Sequence, residues 1–232
     1  MKVKTTVNQL LSRIPWKEYP ELADRFTKVP FEPGKVLYEA HAPMEHAYFP
    51  VSGTLSAVVV MSDGDMIEVA TVGNEGAIGL PIIAAGGSSP NRVFVQVPGE
   101  GMRIEAAVLA KCIHRDGALR NLVLKYYEAF TFQVSQSVAC NGLHPLAERC
   151  CRWLLMTHDR VEGDEIHLTH EFMSVMLGVR RPSVSETLQG LKDRGLITYT
   201  RGKITVLDRQ GLEEGSCECY RAVRDEHERL LS

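Results

Sequence analysis

The stretch from Leu168 to Ile197 constrains the fold of this chain most, because it fits two short helices joined by one tight turn. Thr169 can cap the first helix, and Gly178 stands where the turn needs a residue without a Cβ. Pro182 suits the first turn of the second helix, where a missing N–H costs nothing. The positions expected to face inward are Phe172, Val175, Met176, Val184, Leu188 and Leu191. The pattern predicts a helix-turn-helix, whose second helix enters the major groove of DNA.

A basic hairpin follows the second helix. Two runs with strand character, Leu196–Thr200 and Ile204–Leu207, flank Arg201-Gly202-Lys203. The cations at this tip suit contact with phosphate. Two helices and a basic hairpin in this order predict a winged helix, which is a more specific signal than any single short motif.

The polar side chains of this segment supply candidates for contact with DNA. Arg180 and Arg181 open the second helix, and a guanidinium can bind the edge of a guanine through two hydrogen bonds. Ser183 and Thr169 lie near helix N-termini, where N–H groups and the helix dipole favour a phosphate. The full predicted set is Thr169, Arg180, Arg181, Ser183, Ser185, Glu186, Gln189, Arg201 and Lys203. The alternative for each is a solvated polar face, and Glu186 could instead pair within the protein.

The balance of charge limits how such a domain could bind DNA. The net charge of −3 argues against a protein that coats nucleic acid without regard to sequence. Residues 144–208 contain nine Lys or Arg and nine Asp or Glu, so this segment is neutral. A sequence-specific binder needs only a local basic surface, which must here come from the segregation of charge.

The first half of the chain has the pattern of a β structure. Residues 5–28 are predicted to be helical, and short alternating runs follow from Phe31 to Ile104. Ser62-Asp63-Gly64-Asp65 is a strong hairpin signal, because Gly supplies the positive φ that the turn demands. The predicted strands are Lys35–Tyr38, Ala47–Val51, Thr54–Met61, Met66–Val72, Arg92–Val97 and Gly101–Ile104. Many short strands separated by turns predict an antiparallel sandwich or roll.

A long helix should follow from Asp116 through Cys140, since no Pro or Gly lies between Ala118 and Asn141. It carries two neighbouring apolar stripes, and both must be buried. The first stripe is Leu119, Leu122, Tyr126, Ala129, Gln133, Gln136 and Cys140, and the second is Val123, Tyr127, Phe130, Val134 and Val138. One stripe can pack on the roll, and the other predicts pairing with the same helix of a second subunit. A core helix in a monomer is the alternative.

We place a hinge at Asn141-Gly142, because both residues tolerate the left-handed conformation that ends helices. A further helix, Leu146–Thr157, should come next. The expected division is a β domain with N-terminal helices over residues 1–115, a dimerisation helix with its hinge over 116–142, the winged helix over 143–208 and a helical extension over 209–232.

The cysteines and histidines give no clear chemical site. Cys112, Cys140, Cys150, Cys151, Cys217 and Cys219 include no CxxC pair, so a closed zinc or iron–sulfur site is not predicted, and thiols are expected. Side chains at i and i+2 of a helix diverge, which disfavours a disulfide within Cys217-x-Cys219. No catalytic arrangement of familiar spacing occurs, so we expect neither an enzyme nor a bound cofactor or metal. Without an apolar signal core or a membrane-length apolar run, the chain is expected in the cytoplasm, away from membranes.

Taken together, these segments resemble the Crp/Fnr superfamily of bacterial transcription regulators. The resemblance includes FEPGKVLYEAHAPMEHAYFPVSGTL in the β region, the long helix, Asn141-Gly142, WLLMTHDRV and the winged helix. It implies an α+β homodimer, in which a cyclic-nucleotide-binding-like β-roll senses a signal and the winged helix reads a palindromic operator. It also implies double-stranded DNA and RNA polymerase as partners.

The chain departs from this family at its best-known sites. Gly76–Pro81 and Ser89–Val93 replace the segments with which cyclic-AMP-binding members hold the ribose and the phosphate, so cyclic AMP is not expected. No cysteine precedes Cys112, which argues against the iron–sulfur centre of oxygen-sensing members. In the second helix Arg181 matches an Arg-Glu-x-x-x-Arg pattern, but Pro182 and Glu186 replace its other charged positions.

Two alternatives stay open. The β-roll could bind a small ligand other than cyclic AMP and gate DNA binding. More remotely, the roll could be a metal-dependent enzyme of the cupin kind, although His41, His46, Glu68 and Glu75 are not spaced as a metal site.

Overall fold

The computed structural model describes residues 8–80 and 87–231. Among them, the residues up to Ala57, those of Thr71–Thr131 and those from His227 onward form one compact unit. The other unit consists of Val58–Ala70 and Phe132–Glu226.

Two sheets with strand orders β1-β7-β3 and β2-β6-β4-β5 make up the β region. The strands are β1 (Thr27–Phe31), β2 (Val36–Tyr38), β3 (His46–Pro50), β4 (Thr54–Val60), β5 (Met66–Val72), β6 (Arg92–Val97) and β7 (Gly99–Glu105). β7 pairs antiparallel with both β1 and β3. Phe31, Phe49 and Ile104 are buried, because alternate side chains of a strand face the core. The predicted antiparallel roll is confirmed.

The predicted hairpin turn between β4 and β5 is present. Gly64 has a φ of 93°. The amide of Asp65 donates to Oδ1 of Asp63 over 3.1 Å, and the amide of Met61 donates to the carbonyl of Asp65 over 2.8 Å.

The helical prediction for residues 5–28 is wrong for most of its length, and its first three residues lie outside the described chain. Helix α1 spans only Gln9–Ser12, a 3-10 turn spans Pro20–Leu22, and β1 already begins at Thr27. Proline explains the interruption, because Pro15 and Pro20 lack an N–H and disfavour helix in the residue before them.

Helix α2 spans Ala106–Ile113, and the long helix α3 spans Ala118–Leu143. The predicted break at Asn141-Gly142 is wrong, since the helix continues through both residues. It ends at Leu143 because Pro145 disfavours the helical conformation of His144. Glycine weakens a helix interior by only about 1 kcal/mol, which the rest of the helix can absorb.

The first predicted stripe of α3 is largely buried. At its centre, the hydroxyl of Tyr126 donates to the carbonyl of Ala77 over 2.8 Å and accepts from the Ala77 amide over 3.0 Å. The second stripe is different, because Val123 is buried whereas Tyr127 is 49% and Val138 is 67% exposed.

The C-terminal part of the chain is mainly helical. Its elements are α4 (Leu146–His158), β8 (Glu165–Ile166), α5 (His170–Leu177), α6 (Arg181–Asp193), β9 (Ile197–Thr200), β10 (Lys203–Val206), α7 (Arg209–Glu214) and α8 (Cys219–Leu231). Three of these strands form a sheet of order β8-β10-β9. The extension beyond Asp208, which was predicted to be helical, consists of two helices, and Cys217 lies between them. None of the described helices has the length and apolarity needed to cross a membrane.

Candidate nucleic-acid interface

The turn between α5 and α6 has the predicted geometry. Oγ1 of Thr169 accepts a hydrogen bond from the amide of Phe172 over 3.1 Å and caps α5. Gly178 ends that helix in the left-handed conformation, with φ 63° and ψ 41°. Arg180 occupies the N-cap of α6, and Pro182 lies in its first turn.

The buried face of α5 differs from the prediction by about one position. Met173, Met176 and Leu177 are buried, whereas Phe172 and Val175 are only half-buried. On α6 the predicted inward residues Val184, Leu188 and Leu191 are all buried. Because residues three and four apart share a helix face, shifting the α5 stripe by one residue exchanges Phe172 for Met173.

Arg180 and Arg181 are exposed at the start of α6. Nε of Arg181 lies 3.7 Å from Oε2 of Glu171, and both side chains are 66% exposed. Such a surface pair contributes at most about 1 kcal/mol, so it does not fix the guanidinium in place.

The next turns of α6 hold the remaining predicted helix contacts. Glu186 is exposed, and Ser183 is half-buried, with its carbonyl accepting from Oγ1 of Thr187 over 2.8 Å. Oγ of Ser185 lies 3.0 Å from Nδ1 of His170, which opens α5. Ser185 therefore joins the two helices of the motif.

Gln189 and Tyr199 belong to a polar network. Oε1 of Gln189 accepts from the Tyr199 hydroxyl over 2.8 Å, and its Nε2 donates to Oδ1 of Asp193 over 2.7 Å. The Tyr199 ring also meets the His170 ring edge-on at 4.9 Å, and Nζ of Lys192 lies 4.9 Å from its centre. Both polar ends of Gln189 are thus engaged within the protein.

His170, Lys192 and Tyr199 were missed by the sequence reasoning. The available signals were a histidine directly after the helix cap and an aromatic residue in the basic hairpin. Partial burial lowers the pKa of His170, and the positive charge of Arg181 lowers it further.

The hairpin of β9 and β10 is the predicted wing, and Gly202 has a φ of 77° in its turn. Arg201 is exposed at the tip. Nζ of Lys203 instead pairs with Oε1 of Glu165 on β8 over 2.7 Å, and this pairing lowers the pKa of the Glu165 carboxyl. The side chain of Arg201 is therefore open to solvent, whereas that of Lys203 is held in an ion pair.

The end of the β4–β5 hairpin contacts the helix-turn-helix within the second unit. A Cβ added to Gly178 would lie 2.7 Å from Cδ1 of Ile67. Nε1 of Trp153 on α4 donates to Oε1 of Glu68 on β5 over 2.9 Å. A groove lies between the hairpin and the helix-turn-helix, with Met61, Asp65, Glu171, Val179 and Arg180 among its lining residues. The hairpin thus borders the start of α6.

One group of side chains in the described chain has the composition of a metal site. Its members are Cys140, His144, Cys217 and Cys219. His41, His46, Glu68 and Glu75, which a cupin-like enzyme would need, form no such group among residues 8–80 and 87–231. Burial raises the pKa of Cys150 to about 12 and that of Cys151 to about 11, so these two are unreactive core thiols.

Comparison with known proteins gives two family models and a set of similar structures. A model described as the cyclic nucleotide-binding domain matches residues 28–116, and one described as the Crp-like helix-turn-helix domain matches residues 148–214. A comparison with curated proteins gave no match.

In three of the similar solved structures, the match extends over almost the whole of the solved chain. FixK2 from Bradyrhizobium japonicum is 18% identical, with 83% of this chain and 98% of that chain covered and a TM-score of 0.71. TTHB099, a CRP family regulator from Thermus thermophilus, is 19% identical, with 81% and 96% covered and a TM-score of 0.66. The c-di-GMP responsive regulator CLP from Xanthomonas campestris is 10% identical, with 82% and 98% covered and a TM-score of 0.64. Since both domain models match in this order and the fold agrees, the chain belongs to the Crp/Fnr superfamily of DNA-binding transcription regulators.

Proposed function

We propose that the protein acts as a homodimer that binds a palindromic operator, with α6 as its recognition helix and Arg181 as the leading base-reading residue. The observation that carries this proposal is the exposed N-terminal end of α6, where Arg180 and Arg181 follow the turn at Gly178. The N-terminal residues of a recognition helix are the ones that reach base edges in a helix-turn-helix.

Arg181 can exchange its contact with Glu171 for a base. A bidentate contact with O6 and N7 of guanine contributes about 1–3 kcal/mol of discrimination, which exceeds the worth of an exposed ion pair. Arg180, one residue earlier, is the second candidate for a base or a phosphate.

The other predicted contacts fall into two groups. Thr169, Ser183, Arg201 and Lys203 are proposed to contact phosphate, and Lys203 must then share or leave Glu165. Ser185, Glu186 and Gln189 are proposed to face base edges. Of these, Glu186 has the exposed position, whereas Ser185 and Gln189 are already bonded to His170 and Tyr199.

The exposed residues of the second α3 stripe support the proposed dimer. Tyr127 and Val138 are large apolar side chains left open to water, on a helix whose other stripe is buried. Pairing this helix with its copy would cover both residues and set two recognition helices for half-sites one DNA turn apart. The winged helix has no net charge, so each half-site contact should be modest. We propose that binding becomes tight because one dimer links two such contacts.

The β-roll is proposed to sense a signal, and RNA polymerase is proposed as a further partner. Nε of Arg92, the one arginine at the expected phosphate position, lies 3.4 Å from Oε2 of Glu39. Arg92 would have to leave this carboxylate to hold a phosphate, and the proposal of a ligand other than cyclic AMP rests mainly on the sequence departures at Gly76–Pro81 and Ser89–Val93. The predicted departure at Pro81 lies outside the described residues. Calorimetry with a panel of cyclic mono- and dinucleotides would test whether a small ligand other than cyclic AMP binds the β-roll. Heat of binding with cyclic AMP alone would contradict this proposal.

The proposed function is tested by selecting bound sites from random duplex DNA with the full-length protein. The expected product is a palindrome whose half-sites lie about one helical turn, 10–10.5 base pairs, apart. Enrichment of a single half-site without symmetry would contradict the dimer, and failure to enrich any sequence would contradict specific binding.

A further inference from the structure

Four potential ligand atoms meet where α3 ends and α8 begins. Cys140 lies in the last turn of α3 and His144 just beyond it, while Cys217 precedes α8 and Cys219 starts it. The three Sγ atoms and one imidazole nitrogen all lie within 4.8 Å of one another. The three cysteines are buried, and His144 is nearly so. Cys217 and Cys219 can face one point because Cys217 is not in the helix.

The distances fit the edges of a tetrahedron around one metal ion. Sγ of Cys140 lies 3.5 Å from Sγ of Cys217, and Sγ of Cys219 lies 3.4 Å from Nδ1 of His144. Zinc binds thiolate at about 2.3 Å and imidazole at about 2.0–2.1 Å, so the edges of its tetrahedron are about 3.8 Å between sulfurs and about 3.6 Å between sulfur and nitrogen. The widest separation in the cluster needs to shrink by only about 1 Å.

The surroundings of the cluster match those of metal ligands. Nε2 of His144 lies 3.3 Å from Oε2 of Glu218, so the carboxylate can hold the ring with Nδ1 turned toward the sulfurs. Nε2 of Gln136 donates to Sγ of Cys219 over 3.1 Å. Three thiolates around a divalent cation leave one negative charge, and the buried Arg152, bonded to Oγ of Ser137 over 3.2 Å, supplies a positive one nearby.

Packing of thiols in a core does not account for these features. The vicinal pair Cys150 and Cys151 serves as a comparison for cysteines that only pack in a core. Both are fully buried, and neither belongs to a group of possible metal ligands among the described residues. The cluster around Cys140 instead adds a histidine that carries its own acidic partner. A cysteine-rich iron–sulfur cluster fits less well, because its ligands bind different iron atoms and must stand farther apart than ligands of one ion.

We propose that Cys140, His144, Cys217 and Cys219 bind one zinc ion with Cys₃His coordination. On binding, each of the three thiols releases a proton and its sulfur donates an electron pair to the ion, while neutral His144 donates through Nδ1. No electron is transferred, so no oxidant or reductant is needed. The ion ties the C-terminal extension to the end of α3, and the site is independent of which operator or effector the protein uses.

The test is metal analysis of the full-length protein, purified without a metal-binding tag under reducing conditions. We expect about one zinc per chain, and after replacement by cobalt the visible and near-ultraviolet bands of a tetrahedral thiolate site. Cys217→Ser and His144→Gln should lose or weaken the cobalt spectrum. The matched controls Cys112→Ala and Cys150→Ala remove buried cysteines outside the cluster and should keep it.

The wild-type cobalt spectrum keeps the test decisive even if a variant fails to fold. Wild-type protein that binds neither zinc nor cobalt after anaerobic reconstitution would overturn the proposal. So would iron with inorganic sulfide in place of zinc, a Cys140–Cys217 disulfide in freshly reduced protein, or equal metal loss in Cys150→Ala and in Cys217→Ser when both remain folded by circular dichroism.

Discussion

The hydroxyl of Tyr199 in the wing donates a hydrogen bond to Oε1 of Gln189 on the recognition helix over 2.8 Å. The same ring lies against His170 at the start of α5 and under the ammonium of Lys192. One aromatic side chain therefore sets the wing, α5 and α6 relative to each other. DNA contacts made by these three elements should depend on it.

Tyr199→Phe should weaken operator binding severalfold while costing less than about 1.5 kcal/mol of unfolding free energy, the usual worth of one hydrogen bond. The ring contacts stay, but the wing loses its link to Gln189. Fluorescence anisotropy and urea denaturation measure the two effects. Tyr220→Phe is the matched control. The hydroxyl of Tyr220 donates to Oδ2 of Asp159 over 2.9 Å, away from α6, so this substitution should leave operator affinity unchanged. Equal affinities for wild type and Tyr199→Phe would refute this role of Tyr199.

Protonation of His170 should destabilise the fold below about pH 6.5, the ordinary pKa of histidine. Its folded-state pKa is lowered by burial and by Arg181, so the unfolded chain takes up the proton first. The stability that neutral His170 provides is therefore present above that pH and is lost as the pH falls toward the lowered pKa.

The measurement is urea denaturation of wild type and His170→Asn between pH 5 and 7.5. The stability advantage of the wild type should shrink as the pH falls, and the other histidines cancel because both proteins contain them. An advantage that stays constant or grows toward pH 5 would show that the sign is wrong.

Gly178→Ala should destabilise the protein more than Gly195→Ala. Both glycines have positive φ, 63° and 74°, so each substitution costs about 1–2 kcal/mol in backbone strain. Only at Gly178 does the new Cβ meet a neighbour, Cδ1 of Ile67, whereas nothing lies within 4 Å at Gly195. The difference should be about 1 kcal/mol, because the end of the Ile67 side chain can yield.

Ile67→Ala provides the control in a double-mutant cycle. It should remove the extra cost of Gly178→Ala and leave the cost of Gly195→Ala unchanged. If Gly178→Ala and Gly195→Ala cost the same and Ile67→Ala couples to neither, the β4–β5 hairpin does not pack on the turn in solution.

Val138→Glu should convert the protein to a monomer in sedimentation experiments. A charge at this exposed position spares the monomer fold but prevents burial against a second α3. Operator affinity should fall about 100-fold or more, because the two half-sites are no longer bound by one particle. Lys125→Glu, another exposed position of α3, should stay dimeric. A Val138→Glu dimer of undiminished affinity would count against the proposed interface.

Local signals in the sequence predicted much of the fold. Met66–Val72 and Arg92–Val97 are strands with those bounds, and the cap at Thr169 and the turn at Gly178 are as expected. Each depends on residues close in sequence, so turn and cap chemistry suffices. The helix predicted over residues 5–28 was wrong because apolar spacing was given more weight than Pro15 and Pro20. The break predicted at Asn141 was wrong because Gly142 was given more weight than Pro145.

Long-range contacts were out of reach. Cys140 and Cys217 are 77 residues apart in sequence, and the absence of a CxxC pair, from which no zinc site was expected, gave no information about such a distant pair. Likewise, nothing in the sequence placed Tyr199 against His170, because that contact depends on how the wing folds back. The neutral charge of residues 144–208 was visible, but the pairing of Lys203 with Glu165 was not.

Base reading by Arg181 is tested most directly by a double-mutant cycle between Arg181→Ala and single base-pair changes in the selected operator. Wild-type protein should lose about 1–3 kcal/mol of binding free energy when the guanine that Arg181 reads is replaced in a half-site. The Arg181→Ala protein should bind the original operator and the operator with that base pair changed with equal affinity. It should still lose affinity when other base pairs of the half-site are changed. If Arg181→Ala keeps the full wild-type preference at every base pair, Arg181 does not read the operator and the proposed recognition by the start of α6 is wrong.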